Sequence, residues 1–195
     1  MSRWKCLAGG KMANDDRERA KQIVLEIIRQ AGGVFENKTN LYKAFYHAHL
    51  QYAETQPGYL STWPIVHMPR GPGIDRFNTL LGELLVEGKI EAEQVDRGDY
   101  TGFRFTLRPD EPGGERLPLE SISAIKYGVS QVIGKSAKRV SDDSHEESRA
   151  WRNADKAGAA GAELNIYLDS LSEEEYQERM QRVKAIASAL DAVWS

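Results

Sequence analysis

Apolar positions recur at helical spacing along most of the chain. Ile23, Val24, Leu25, Ile27 and Ile28 form a stripe that runs on to Gln30. Asn14, Asp15 and Asp16 precede it with an N-cap and charge suited to a helix dipole, and Gly32-Gly33 closes it. Thr39 or Asn40 then caps a second helix, from Leu41 to about Tyr52. Its residues Tyr42, Phe45, Tyr46, His47, His49 and Tyr52 make it apolar or aromatic nearly all round, which predicts a central position. Phe77, Leu80, Leu81, Leu84 and Leu85 follow the i, i+3, i+4, i+7, i+8 pattern of a helix over Ile74–Glu87 that Gly88 ends. Ile122, Ile125, Val129, Val132 and Ile133 mark another helix, and short helical pieces follow around Ala137–Asp142 and Glu146–Ala154.

Between these stretches the period changes. Pro57-Gly58 breaks the aromatic helix, and Tyr59–Met68, with Trp63, Pro64, Ile65 and Val66, reads as extended. Pro69, Gly71, Pro72 and Gly73 predict a rigid turn. Ile90–Val95 and Tyr100–Leu107 flank Asp96-Arg97-Gly98-Asp99, and the alternation of Phe103, Phe105 and Leu107 predicts a β-hairpin. Pro109–Pro118 reads as a linker or long loop. Near the C-terminus, Ser172 and Glu175 form a capping box, with Leu171 and Tyr176 as its hydrophobic staple. Tyr176, Met180, Val183, Ala187, Leu190 and Trp194 then recur by fours and threes, the spacing of a helix–helix seam. This helix is expected to cover the protein's own core or to meet another chain, and the first is preferred because most amphipathic helices close their own domain.

The expected fold is α+β and predominantly α-helical, with five to seven helices and one antiparallel β-hairpin over about Lys89–Leu107. Its middle, a helix leading straight into a hairpin, is winged-helix-like. Residues 1–12 are expected to be a disordered tail, 13–170 the domain, and 171–195 a C-terminal amphipathic helix packed on it.

Composition narrows the function. The 195 residues are 41% hydrophobic, enough for a packed core, and carry a net charge of −3. That charge offers no long-range positive field for phosphates or anionic lipid. From Asp75 to Arg108, five basic residues (Arg76, Lys89, Arg97, Arg104, Arg108) face seven acidic ones (Asp75, Glu83, Glu87, Glu91, Glu93, Asp96, Asp99), which weighs against a DNA-reading winged helix. Cys6 is the single cysteine, so no disulfide or cysteine zinc cluster forms within the chain, and a cytoplasmic location is expected. No apolar run reaches the length of about 20 residues that a membrane helix needs.

Catalytic and metal chemistry find little support. The histidines are His47, His49, His67 and His145. His47 and His49 sit two apart on a helix and point to nearly opposite faces, so they do not share an ion. Cys6 lacks a supporting frame, and Ser144, three residues before Glu147, reads as a capping box with no Gly-x-Ser-x-Gly elbow around it. No cofactor, metal or catalytic residue is expected.

Four pieces in order resemble a known family. Leu41-Tyr42-Lys43-Ala44-Phe45-Tyr46-His47-Ala48-His49, then Trp63, then Arg70-Gly71-Pro72-Gly73-Ile74, and finally Ser144-His145 through Trp151 ahead of Leu164-Asn165-Ile166-Tyr167 are similar to the Panacea domain, the SocA-like antitoxin family. The similarity covers roughly residues 38–170. In that family an aromatic residue usually precedes Gly-Pro, where this chain has Arg70. The resemblance implies a bacterial or phage antitoxin that binds a cognate toxin directly, in some members delivering it to a protease; a monomer or homodimer is expected of this chain. It makes Tyr42, Tyr46, Trp63, Arg70, Pro72, His145 and Trp151 candidates for partner contact. Physical chemistry alone gives Trp63 and Trp151 a place in the core, Gly71-Pro72 a turn, and His145 a buried carbonyl to satisfy. A winged-helix DNA-binding regulator is the alternative, and a hydrolase built around His145 is the third reading.

Overall fold

The computed structural model describes residues 8–98, 101–108 and 117–193. The protein is a mixed α+β structure, mainly helical. Helix α1 (Ala8–Gln30) buries Ala20, Ile23, Val24, Leu25, Ile27 and Ile28. It begins earlier than the sequence pattern implies, taking in residues 8–12 of the expected tail, because Lys11, Met12 and Ala13 are good helix formers that carry it back past Asn14. Residues 1–7, with Cys6, lie outside the described residues, as does 109–116 of the expected linker. Strand β1 (Val34–Phe35) leads to α2 (Lys38–Thr55), whose N-cap is Asn37 rather than Thr39 or Asn40. The Asn37 side chain accepts from the Thr39 N–H at 2.8 Å.

From Asn40 to His49 every side chain of α2 except Tyr42 is buried, as expected of an axial helix. Its chief neighbour is α4 (Leu119–Val132), and Gly128 makes that approach possible. A Cβ there would stand 2.4 Å from the Ala44 carbonyl and 2.7 Å from the Ala48 nitrogen. Larger residues would push the two helices apart.

The hairpin read from the sequence is β4 (Ile90–Asp96) with β5 (Thr101–Leu107), reached through α3 (Phe77–Val86), and β1 adds to β5 so that the sheet runs β1-β5-β4. Phe105 faces the core at 3% exposure while Phe103 stays at the surface. A second hairpin was not expected. Gly71–Ile74 is strand β3, paired antiparallel with β2 (Ile65–Met68) in the register Ile65↔Ile74 and Met68↔Gly71, where the sequence reads a turn. The glycines and proline that suggest punctuation are there for close packing, since all four residues of β3 are buried.

Two short helices, α5 (Ala137–Glu147) and α6 (Arg149–Lys156), and the single turn α7 (Tyr167–Ser170) close the site side of the molecule. Ala150 and Trp151 of α6 join Tyr46, Ile65, Leu164 and Ile166 in a small second apolar cluster beside the main core. The last helix, α8 (Glu173–Val193), starts with the expected capping box: the Ser172 N–H donates to Glu175 at 2.9 Å and the Glu175 N–H to Ser172 Oγ at 3.2 Å. Of its predicted stripe, Tyr176 and Met180 are half-buried and Ala187 is exposed, while the side chains of Val183, Leu190 and Trp194 lie outside those described. Arg149 anchors its first turn, bonding Glu173 at 2.9 Å and lying 4.6 Å from the Tyr176 ring centre. Beyond the half-buried Met180, the described side chains from Gln181 to Ser188 are exposed, Ile186 among them at 61%. The stripe that suggested a lid is equally compatible with an uncovered helix, because spacing records a face and not what meets it.

Candidate functional site

Three of the four motif pieces meet around one buried lysine, while Trp63 packs in the main core. Lys43, fully buried on α2, donates from Nζ to the Pro72 carbonyl at 2.9 Å and to Ser144 Oγ at 2.8 Å. Ser144, also without exposed surface, donates onward to the Ser141 carbonyl at 2.8 Å. No carboxylate is bonded to this amine, so burial lowers its pKa from 10.5 to about 7. Gly71 closes the cluster with φ +89°: a Cβ there would fall 2.5 Å from Lys43 Nζ, 2.6 Å from Ser144 Oγ and 2.8 Å from the His145 ring. Only glycine fits both the backbone and the space.

A stack of rings lies beside it. The His145 ring sits 4.2 Å from that of Trp151 at 4° to its plane, and the His67 ring lies 5.1 Å from Trp151 at 16°. Trp151 Nε1 donates to the Met68 carbonyl at 2.8 Å, tying α6 to the β2–β3 hairpin. His145 Nε2 and His67 Nδ1 are buried without a hydrogen-bond partner. Desolvation, followed by the charge of Lys43, holds the His145 pKa below its ordinary value. Burial and the same lysine push His47 down to about 4, and burial does so for His49, whose ring bonds the Phe45 carbonyl and Ser61.

Asp169 is the third tie. Its carboxylate accepts from Tyr46 at 2.9 Å, from Ser148 Oγ at 2.7 Å and from the Ala150 N–H at 2.7 Å. Ser148, not Ser144, caps α6, accepting from the Trp151 N–H at 3.0 Å.

Of the residues read as partner contacts, Tyr46, Trp63, Pro72 and Trp151 are buried, and three have their polar atoms committed internally; Trp63 Nε1 donates to the Asp75 carbonyl at 2.8 Å. Tyr46, Pro72 and Trp151 help build the site, Trp63 belongs to the main core, and none of the four offers a contact surface. Tyr42 is half-buried, edge-on to Phe77. Arg70 is exposed and His145 half-buried, and both line an open groove of about 740 Å³ with Thr39, Lys138, Ser141 and Asp142. A second groove of about 520 Å³ shares Asn37, Ser136 and Ala137 with the first and is lined also by β1 and the α4–α5 connection.

Lys43, Ser144 and Asp169 escaped the sequence reading as site residues. The one signal for Lys43 was a cation within an otherwise apolar helix. Lys43 and Ser144 form a serine–lysine pair, but neither has surface from which to meet a substrate. Among the described residues no group of three His, Cys, Asp or Glu side chains could hold a metal ion, and no helix is long and apolar enough to cross a membrane. On the winged-helix-like face, Arg97 and Arg104 pair with Glu36, Arg104 also with Glu93, Arg108 with Glu91 and Arg76 with Asp75.

No family model, no curated protein and no solved structure matches the chain.

Proposed function

We propose that this protein is an antitoxin-like binding module that neutralises a cognate toxin by direct contact, without catalysis. The observation that supports this reading is the convergence of the Panacea-like pieces. Lys43, Gly71-Pro72, Ser144-His145 and Trp151 are scattered over more than half the chain and are packed into one cluster by hydrogen bonds, a ring stack and a glycine that tolerates no side chain. Such a cluster is a rigid base, and it presents Arg70 and His145 to the open groove. Rigid presentation of a few exposed groups is what a binding surface needs. The test is expression of the small open reading frame beside the gene, with and without this chain. Growth arrest relieved only by co-expression, together with co-purification of the two products, is expected. A neighbour that is harmless, or toxic regardless of this chain, would overturn the proposal.

A DNA-binding regulator is the second reading, favoured by α3 leading into β4–β5 with β1 completing the sheet. The pairing of that face's arginines with carboxylates leaves little charge for phosphates. Binding to its own promoter that weakens steeply with salt would support this reading over the first.

A further inference from the structure

We propose that the two adjoining grooves between the edge of β1 and Arg70, which share Asn37, Ser136 and Ala137, bind an extended segment of a partner protein that carries a carboxylate side chain. This rests on the protein-binding part of the reading above and adds to it the surface and the chemistry of what docks there.

Three independent features point to such an occupant. The first is an unpaired strand edge. β1 is the end strand of the β1-β5-β4 sheet, and the Leu107 N–H bonds the Gly33 carbonyl. In the observed register, Val34↔Thr106 and Phe35↔Phe105, this makes the Val34 pair the one without mutual bonds, so the Val34 N–H and C=O point away from β5. An added strand satisfies such groups with its own backbone.

The second feature is an orphan acceptor. Asn40 lines the same groove at 7% exposure; its Nδ2 donates to the carbonyls of Val132 at 3.2 Å and Lys135 at 2.9 Å, while its Oδ1 has no partner. A buried amide oxygen left alone is costly, and a peptide N–H is the donor that an extended chain brings. Val34 at 38% and Ile133 at 54% exposure stand on the two rims and supply apolar contact for alternate side chains.

The third feature is charge. At the other end of the groove, Arg70 and Lys138 are exposed and, among the described residues, neither has a carboxylate within salt-bridge distance, whereas Lys135 and Arg139 nearby both pair with Asp143. The N-termini of α2 and α5 open onto the same place, since Asn37 and Ser136, their N-caps, line both parts of the groove. One carboxylate, Asp142, lies on the wall; two cations and two helix dipoles outweigh it and favour an anionic side chain.

The probe is a displayed library of random dodecapeptides selected on the full chain. Enriched peptides are expected to carry Asp or Glu at one end of an extended, partly apolar stretch. A synthetic copy of the best one, followed by fluorescence anisotropy, should lose at least about tenfold in affinity on Arg70→Glu or Lys138→Glu, the scale of one charge-assisted hydrogen bond. Exchange of its acidic residue for the amide should do the same. Ile133→Asp should weaken it at the other end, and Arg179→Glu on α8 should leave it unchanged. All four positions are exposed, so folding is not at stake. Binding that ignores Arg70→Glu and Lys138→Glu, tolerates the amide peptide, or yields no enriched sequence overturns the proposal. A chain that protects against its toxic neighbour yet captures no peptide loses the groove and keeps the antitoxin reading; one that captures acidic peptides and protects against nothing does the reverse.

Discussion

Two antiparallel hairpins in this molecule have the same hydrogen-bonding plan and opposite surroundings. In β4–β5 only Ile90 and Phe105 are buried, and Arg104, Glu93, Glu91 and the adjoining Arg108 form ion pairs in solvent. In β2–β3 both faces are covered: every residue but Met68 is buried, and the strand Gly71-Pro72-Gly73-Ile74 runs beneath a lysine, a serine and an imidazole. The outer hairpin is held by its ladder and by exposed charges that contribute little. The inner one is held by its fit to other elements, so its sequence is constrained by neighbours and not by strand propensity.

The sharpest way to break this contrast uses two glycines of like conformation. Gly71 has φ +89° and Gly98 φ +83°. A Cβ at Gly98 meets nothing within 4 Å, whereas at Gly71 it collides with Lys43 Nζ, pinned between two acceptors, and with Ser144. Gly98→Ala should cost about 1–2 kcal/mol, the strain of a left-handed backbone alone. Gly71→Ala adds overpacking and should cost about 3 kcal/mol or more. Urea unfolding of both variants measures the difference, and equal losses would mean that the inner hairpin gives way as easily as the outer.

The next largest effect is a pH dependence confined to the inner site. Lys43 titrates at about 7 when folded and near the ordinary lysine value of 10.5 when unfolded. Between those values the unfolded chain binds the extra proton. The buried amine therefore costs nothing above about pH 10.5, and the native state loses stability as pH falls toward 7, by up to about 1.4 kcal/mol per unit. Lys43→Met removes this titration. Wild type should gain on the variant between pH 7 and 9; parallel profiles would show that the amine keeps its charge in the folded protein.

The same contrast governs what was legible in the sequence. The helices announced themselves because Phe77 to Leu85 and Ile122 to Val132 each have one wet and one dry face, and β4–β5 did so through Phe103-Arg104-Phe105. Period is visible only where one side meets water. β2–β3 has no wet side, so its Gly-Pro-Gly looked like a turn. Ser144 looked like a helix cap because it precedes a Glu by three; the helix is capped four residues later by Ser148, and Ser144 instead meets a lysine 101 residues away in sequence. Long-range partners of this kind leave no spacing to read.

The smallest expected effect lies at the outer sheet. Glu36 takes Arg97 at 2.7 Å and Arg104 at 2.9 Å, and these two guanidinium groups hold its carboxyl below the usual carboxylate range. A depressed carboxyl stabilises the fold above the unfolded pKa and loses that contribution as pH falls through the folded value, so any benefit is complete at neutral pH. But all three side chains are a third exposed or more, where solvent and salt screen the attraction and fixing long side chains costs entropy. Glu36→Gln should therefore move the melting midpoint at pH 7 by less than about 3 °C, and added salt should shrink even that. A larger, salt-resistant loss would place the ion pairs on the same footing as the Lys43 cluster. It would make β1, with its unpaired edge, a strand that charge holds in place.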